Sequence, residues 1–444
     1  MGLFFVMYKA FLKLTVPNIL TNLTVPLVSL VDLALMGHLG NSSYIVALGL
    51  AVALFNLIYW AFGFLRMGTT GQVAQLYGRD DTPGIHLIVA QGIFIAITIG
   101  VGFLLLQRPI LYLYSELINI TDDIQQQIGT YFDVRIYAAP ASITVFVING
   151  WLLGIQKSRS ALVLAIVINV VNVVLSYAFV RFYAFGIAGV AIGTLIAQYT
   201  GLLVGIFFLW KEYKWTWAAA FFIILRKGGQ WQQFIQINSD LFIRTLCLLF
   251  TLTFFKVKAS ELEVNLGAAN LLLLEFITIS AYGIDGLAFA AESISGKYYG
   301  SGNLILLKKS IRAAFLIGLG IAVLVSMVFF VFSDLILLSL TNQELVLLVA
   351  KKYLPWVIIA PVVYAVAFIW DGIYIGCTAS KQMKWSLLIS TFVVFLPCYY
   401  LFGNVFGNHG IWLALTLFMI SRGFIQSMLV KKGIYNRLHA AKMS

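Results

Sequence analysis

The amino-acid sequence predicts an all-α polytopic membrane protein with twelve transmembrane helices in two pseudo-symmetric six-helix bundles. Of its 444 residues, 61% are hydrophobic and only 10% are charged, a composition far from that of soluble proteins. Apolar runs of about 20 residues, long enough to cross a bilayer as helices, recur along nearly the whole chain. The two halves also carry similar short motifs, which predicts a repeated bundle.

In chain order, the apolar runs predict twelve spans joined by short polar connections. The spans are 14–36, 46–76, 87–107, 131–154, 161–182, 188–210, 232–256, 268–294, 311–334, 354–378, 384–402 and 410–430. The longest connections, 108–130 and 211–231, are too short to form a folded domain. We therefore expect an N-lobe, residues 1–215, with the first six helices, and a C-lobe, residues 216–444, with the last six.

The 29 Lys and Arg residues, which give the chain a formal net charge of +12, lie mainly between the apolar runs. Most of them fall in the terminal segments and in the connections after the second, fourth, sixth, eighth and tenth spans. Because basic residues concentrate on the cytoplasmic side of membrane proteins, both termini are predicted to be cytoplasmic. The positive charge thus indicates an orientation in the bilayer, and no nucleic-acid partner is expected.

A motif at the end of the fourth predicted span recurs at the end of the tenth. Residues 149–154 have the sequence NGWLLG and residues 371–376 have DGIYIG, and each is followed by a serine next to a basic residue. Six spans per half is an even number, so the halves should share one orientation about an axis along the membrane normal. Two such bundles beside a central cleft are typical of transporters.

Asp32 lies late in the first predicted span, with no basic residue within one helical turn. An acid inside a span costs about 2.5–3.5 kcal/mol on insertion scales, so it is a candidate functional group. Desolvation disfavours a charged carboxylate, and we expect Asp32 to exchange a proton when a cleft opens to water on alternate sides. The alternative is a solvated, inert acid at the outer interface.

Three neutral polar residues on the next pair of predicted spans add oxygen atoms. Asn172 and Ser176 are one helical turn apart on the fifth span and share a face, and Thr194 lies on the sixth. Such oxygens can bind a desolvated cation, or they can simply hold helices together through interhelical hydrogen bonds. Spacing alone leaves both interpretations open.

Further charged residues inside spans are secondary candidates for cation coupling. They are Arg66, Asp240, Glu275, Asp285 and Asp371. Asp240 and Arg244, at positions i and i+4, are expected to form a salt bridge. Arg66 is a plausible partner for an acid of the eighth span, where Glu292 is expected to be solvated near the cytoplasmic loop.

Aromatic residues make up 15% of the chain, and four of those within spans are candidates to line a substrate cleft. They are Tyr59, Phe64, Tyr282 and Phe289. Their rings would suit organic cations through cation–π contacts, although many span aromatics simply face lipid. No catalytic dyad, phosphate-binding loop or metal-ligand spacing is found, so we expect no enzyme activity and no cofactor, with energy drawn from an ion gradient.

Each half of the chain also contains longer motifs, two in the first half and three in the second. They are 22–40 (NLTVPLVSLVDLALMGHLG), 64–78 (FLRMGTTGQVAQLYG), 240–246 (DLFIRTL), 282–292 (YGIDGLAFAAE) and 370–376 (WDGIYIG). Together they resemble the DinF branch of the multidrug and toxic compound extrusion (MATE) family over essentially the whole chain. The resemblance implies two six-helix lobes, alternating access and export of drugs or metabolites in exchange for H⁺ or Na⁺.

The resemblance also implies roles for individual residues. Asp32 matches the acid that serves as the cation switch of the N-lobe, and Asn172 and Thr194 match polar ligands around it. Where many relatives carry a second acid, this chain has Ser176, which favours H⁺ over Na⁺ as the coupling ion. Asp371 resembles an acid implicated in cation coupling in another branch of the family.

We therefore expect a monomeric, multi-pass exporter of small molecules in a bacterial cytoplasmic (inner) membrane. In this interpretation Asp32 is protonated from outside, which favours release of the substrate, and its deprotonation towards the inside resets the transporter. The alternative function is a flippase for lipid-linked or polysaccharide substrates, built on the architecture of the same superfamily. A lateral cleft rich in Arg and Lys would favour that alternative.

Overall fold

The computed structural model describes residues 2–39, 42–118, 120–213 and 231–443. These residues are helical almost throughout and contain no β-strand. Among them, eleven helices are long and apolar enough to cross a membrane. The predicted seventh span, 232–256, is also helical and lies within a 30-residue helix, Trp231–Ser260. The all-α architecture predicted from composition is confirmed, whereas the predicted lobe boundary at residues 215 and 216 lies outside the described residues.

The helices of the first half, as far as the structure describes them, are named α1 to α9. They are α1 (Gly2–Gly37), α2 (Ser42–Phe62), α3 (Phe64–Gly78), α4 (Thr82–Leu105), α5 (Gln107–Leu117), α6 (Asp122–Arg135), α7 (Ala139–Gly154), α8 (Ser158–Arg181) and α9 (Gly186–Tyr213). Helix α6 begins well before residue 131, where the sequence predicted the fourth span. Its polar first turn carries Asp122 and Asp123, and acids at this position stabilise a helix N-terminus.

The described helices of the second half are named α10 to α17. They are α10 (Trp231–Ser260), α11 (Val264–Gly300), α12 (Leu304–Leu340), α13 (Glu344–Gly376), α14 (Ser380–Ile389), α15 (Leu396–Phe406), α16 (Asn408–Val430) and α17 (Asn436–Met443). The segments Ser390–Phe395 and Lys431–Tyr435 are π-helical turns. They join α14 to α15 and α16 to α17, so the backbone continues as a helix across both junctions.

A short 3₁₀ turn, Ile136–Ala138, separates α6 from α7. Pro140 lies in the first turn of α7 and has no backbone N–H to donate to the carbonyl of Ile136. The α-helical ladder is therefore interrupted just after Arg135. This break fixes the end of α6 at a partly buried basic residue, Arg135.

The chain forms two compact units. Unit A comprises residues 20–73 and 81–235, and unit B comprises residues 1–19, 74–80 and 236–444. In unit A, Phe55 of α2 packs against α6, with ring centroids 6.0 Å from Tyr131 and 5.4 Å from Phe132. Helices α8 and α9 pack closely because Gly193 has no side chain; a Cβ there would lie 2.6 Å from the Ser176 hydroxyl oxygen.

In unit B, α11 and α13 approach each other at small residues. A Cβ on Gly372 would clash with the backbone carbonyl of Ala288, and one on Gly376 with that of Glu292. Between α11 and α16, the amides of Asn270 and Asn408 exchange two hydrogen bonds of 2.7 and 2.9 Å. These contacts satisfy buried polar groups and hold unit B together.

Candidate functional site

Helix α1 carries Asp32 into unit A, where the residue is only 6% exposed. Its neighbours are the hydroxyl of Ser176 on α8 and, at longer range, the guanidinium of Arg135 on α6. Among the described residues, no donor lies within hydrogen-bonding distance of the Oδ1 atom of Asp32. This burial argues against a solvated, inert acid at the membrane interface.

Asn172 and Thr194 connect α8 to α9 beside this acid. The Asn172 side-chain amide donates to the Thr194 hydroxyl oxygen at 2.7 Å, and that hydroxyl donates to the carbonyl of Val190 at 2.9 Å. The bond across the two helices matches the interhelical role considered from the sequence. It uses only the nitrogen of Asn172, and its Oδ1 atom has no donor among the described residues.

Ser176, 0% exposed, lies one turn along α8 from Asn172. The close approach of Gly193 holds the Ser176 side chain on the α9 side, while its hydroxyl faces the Asp32 carboxyl. Three oxygen atoms of Asp32, Asn172 and Ser176 are thus buried without a partner in the described structure. Together they form a small group of acceptors with a single carboxylate.

Arg135 is the charged residue that sequence reasoning left unassigned in this region. Its guanidinium donates to the Tyr131 hydroxyl at 3.0 Å and lies 5.4 Å from the centroid of the Phe55 ring. The hydroxyl of Tyr59 and the carboxyl of Asp32 are also within its electrostatic range. In the sequence, the only sign that Arg135 has a functional role is its position inside a predicted span. Its acidic neighbour, Asp32, is on a different helix, so sequence spacing does not reveal the pair.

We call the residues Asp32, Tyr59, Arg135, Asn172 and Ser176 the Asp32 cluster. Tyr59, predicted to line a substrate cleft, has its hydroxyl beside Arg135 and Ser142 in this cluster. The other predicted cleft residue of unit A is Phe64, which is 8% exposed. Its ring centroid lies 6.0 Å from that of Phe62. Tyr282 and Phe289 lie partly buried on α11 of unit B.

Unit B holds a second buried polar group around Asp371, which we call the Asp371 cluster. Arg244 and Arg422 donate to Asp371 Oδ2 at 2.5 and 2.6 Å, and Gln426 donates to Oδ1 at 2.7 Å. Arg422 also lies 5.4 Å from the centroid of the Phe418 ring. Both carboxylate oxygens are therefore engaged by donors, and a cation would have to displace them.

The expected salt bridge between Asp240 and Arg244 is wrong. Asp240 instead pairs with Lys384 at 2.5 Å and accepts a hydrogen bond from Ser380 at 3.0 Å, whereas Arg244 pairs with Asp371. Asp240 and Arg244 are one turn apart on α10, but each forms its ion pair with a residue of another helix of unit B. Local spacing cannot reveal such long-range competition.

The acids of α11 differ in exposure. Glu275 is exposed and Asp285 is partly buried, and both act electrostatically on Tyr282. Glu292, expected to be solvated, is only 1% exposed, because Gly376 lets α13 pack directly against its backbone. That expectation is wrong. Arg66 lies on α3 in unit A and is 9% exposed, and its pairing with an acid of α11 stays a prediction.

The sequence matches the MatE family over residues 17–178 and 245–401. It is 32% identical to the DNA damage-inducible protein F of Escherichia coli (strain K12) over 415 residues, which cover 94% of this chain and 90% of that protein. It is 25% identical over 426 residues to the Multidrug and toxin extrusion protein 1 of Homo sapiens, covering 91% of this chain and 71% of that protein.

Solved structures of similar fold cover nearly the full length of both chains. A variant of the Vibrio cholerae MATE transporter VcmN matches with a TM-score of 0.83 at 17% identity, over 98% of this chain and 99% of that one. A MOP superfamily transporter from Pyrococcus furiosus matches with a TM-score of 0.83 at 18% identity, over 98% and 97%. At this identity the likeness concerns the fold, and it confirms the predicted twelve-helix architecture.

Proposed function

Because the chain belongs to the MatE family of multidrug and toxin efflux transporters, we propose that it exports small organic molecules in exchange for protons, with Asp32 as the proton-binding group. The protein is a multi-pass membrane transporter and not an enzyme.

The observation that supports this assignment best is the environment of the Asp32 carboxyl. It is 6% exposed on an apolar helix, and its Oδ1 atom has no hydrogen-bond partner among the described residues. Holding such a group inside a membrane is costly unless it is neutralised, and protonation neutralises it directly. A carboxyl group in this position therefore suits reversible proton binding.

The contacts of Asp32 suggest how protonation can act on the helices. The carboxyl faces Ser176 of α8, and α8 is bonded to α9 through Asn172 and Thr194. Protonation converts one carboxyl oxygen from an acceptor into a donor, which changes the preferred pairing with the acceptors of α8. In our proposal this change favours the conformation that releases substrate outside, and deprotonation towards the cytoplasm reverses it. Coupling requires only that proton and substrate bias two states in opposite directions.

We propose an N-lobe and a C-lobe of six helices each, cytoplasmic termini and a monomer in the cytoplasmic membrane. The aromatic candidates for contact with substrate stay those predicted from the sequence: Tyr59, Phe64, Tyr282 and Phe289. For such residues, organic cations are the favoured substrate class through cation–π contacts, with Glu275 and Asp285 supplying negative charge on α11.

Transport in proteoliposomes tests the proposal. Efflux of a fluorescent organic cation is measured for wild type and Asp32→Asn, with a pH gradient and a Na⁺ gradient imposed separately at equal ionic strength. Asp334→Asn, which changes an acid whose side chain is 68% exposed, is the matched control. We expect the pH gradient to drive efflux in wild type and control but not in Asp32→Asn.

Two other outcomes would overturn the proposal in different ways. Efflux driven only by the Na⁺ gradient would identify Na⁺ as the coupling ion despite the single carboxylate of the Asp32 cluster. Absence of gradient-driven transport for every cation tested would favour the flippase alternative, which would then be examined with lipid-linked substrates.

A further inference from the structure

We propose that Arg135 is a tethered counter-ion of Asp32, and that its fixed positive charge makes the site accept H⁺ and exclude Na⁺. This inference rests on the proposed proton coupling at Asp32 and adds a residue that determines ion specificity. It concerns unit A alone. The contacts that anchor Arg135 and the charged groups around Asp32 support it.

Arg135 is anchored from several sides. The 3₁₀ turn Ile136–Ala138 begins directly after it, so Arg135 occupies the last position of α6. Its guanidinium donates to the Tyr131 hydroxyl at 3.0 Å and lies over the rings of Phe55 and Tyr131, at 5.4 and 5.9 Å from their centroids. Oxygen and aromatic faces thus stabilise the cation without requiring a contact ion pair.

Each of the two charged groups keeps one atom without a hydrogen-bond partner in the described structure. The Nε atom of Arg135 has no hydrogen-bond partner among the described residues, and neither has Oδ1 of Asp32. The two groups interact electrostatically, and the direct bond of Arg135 goes to Tyr131. Asp32 can therefore gain or lose its proton while Arg135 keeps its own anchors.

The helices around Asp32 supply few other titratable groups. Tyr59 of α2 and Tyr131 of α6 flank Arg135, and tyrosines are neutral at physiological pH. Ser142 of α7 faces Tyr59, while Ser176 of α8 faces Asp32, and neither hydroxyl carries charge. The formal charge that acts on Asp32 in the described structure is that of Arg135.

This charge balance separates the two candidate ions. With Asp32 deprotonated, the pair Asp32 and Arg135 has no net charge, so a Na⁺ ion entering the cluster would lose its hydration without meeting a net negative field. A buried cation without such compensation is strongly disfavoured. A proton instead forms a covalent bond with a carboxylate oxygen and needs no ligand shell. The cluster is then a proton site in which the positive charge of Arg135 compensates the carboxylate, as a bound metal cation otherwise would.

The test compares Arg135→Gln with Arg135→Lys in the full-length protein in proteoliposomes. Arg108→Gln is the matched control, because Arg108 belongs to the same unit but has a side chain that is 74% exposed. Efflux of a fluorescent organic cation is recorded against pH, with Na⁺ or choline at equal concentration. We expect wild type, Arg108→Gln and Arg135→Lys to be insensitive to Na⁺.

For Arg135→Gln we expect two changes. The pH at half-maximal transport should rise by about one unit, because loss of a nearby positive charge favours the protonated carboxyl. Na⁺ should now inhibit the pH-driven efflux or drive efflux itself. If Arg135→Gln keeps the wild-type pH profile and stays insensitive to Na⁺, the inference is wrong.

Two further measurements, efflux by Asp32→Asn and the melting temperature of the wild type, separate this inference from the proposed function. If Asp32→Asn is still driven by the pH gradient, the proposed function fails; if only Arg135→Gln behaves as wild type, this inference alone fails. Should Arg135→Gln not fold, the wild-type protein decides. Stabilisation of the purified wild type against heat by Na⁺, relative to choline, would overturn the exclusion of Na⁺, and equal melting temperatures would support it.

Discussion

Replacing Asp371 by Asn removes the carboxylate that two buried guanidiniums share in unit B. Asp371 is 4% exposed, Arg422 is 0% exposed, and the Arg422 donor lies 2.6 Å from Asp371 Oδ2. Asparagine has nearly the same size but no charge, so Arg422 loses its ion-pair partner while staying buried. We expect this change to destabilise the protein without any effect specific to an ion gradient.

The size of the effect follows from the contacts. Removing one partner of a buried ion pair costs about 3–5 kcal/mol, and for a domain of this size each kcal/mol shifts the melting temperature by about 2–4 °C. The expected fall in melting temperature is therefore about 10 °C. Arg244→Gln should cost about half as much, because Asp371 would keep its bonds to Arg422 and Gln426.

Thermal unfolding of the detergent-solubilised protein measures this prediction. Asp334→Asn is the control, since its pair with Lys351 is exposed and should contribute less than about 1 kcal/mol. If Asp371→Asn melted at the wild-type temperature, the ion pairs would contribute little to stability. If it also abolished only Na⁺-driven transport, Asp371 would be a coupling residue, and our interpretation of its contacts would be refuted.

The remaining predictions concern packing and polar contacts. Gly193→Val should reduce pH-driven efflux strongly, because its Cβ would lie 2.6 Å from the Ser176 hydroxyl oxygen. The control Gly49→Ala, whose Cβ would have no atom within 4 Å, should transport normally, and equal efflux rates for the two variants would contradict the prediction. Asn270→Ala should lower the melting temperature by the equivalent of about 1–3 kcal/mol, because Asn408 and Trp412 lose their buried partner; an unchanged melting temperature would show that this network is dispensable.

The spans were predictable because hydropathy is a local property. Each apolar run contains enough information to form a helix in a bilayer, so the twelve-helix fold followed from composition and length. Helix ends were less accurate, as at α6, because polar first turns extend beyond the apolar run. The helical repeat also put Asn172 and Ser176 on one face, and the structure has both side chains buried.

The charge pairs were not predictable, because each joins residues far apart in sequence. Spacing suggested Asp240 with Arg244, but Lys384 and Asp371 from other helices of unit B are the actual partners. Arg135 has no acid one turn away, and only the packing within unit A brings it into range of Asp32. The burial of Glu292 likewise depends on the close contact at Gly376.

The most direct test of the central claim is the number of protons released when substrate binds to the purified protein. The measurement uses a weakly buffered detergent solution and a pH indicator, for wild type and Asp32→Asn. If proton and substrate bias opposite states through Asp32, wild type should release protons on binding and Asp32→Asn should bind substrate without releasing any. Equal proton release from both proteins would show that the coupling proton is held elsewhere and would contradict our account.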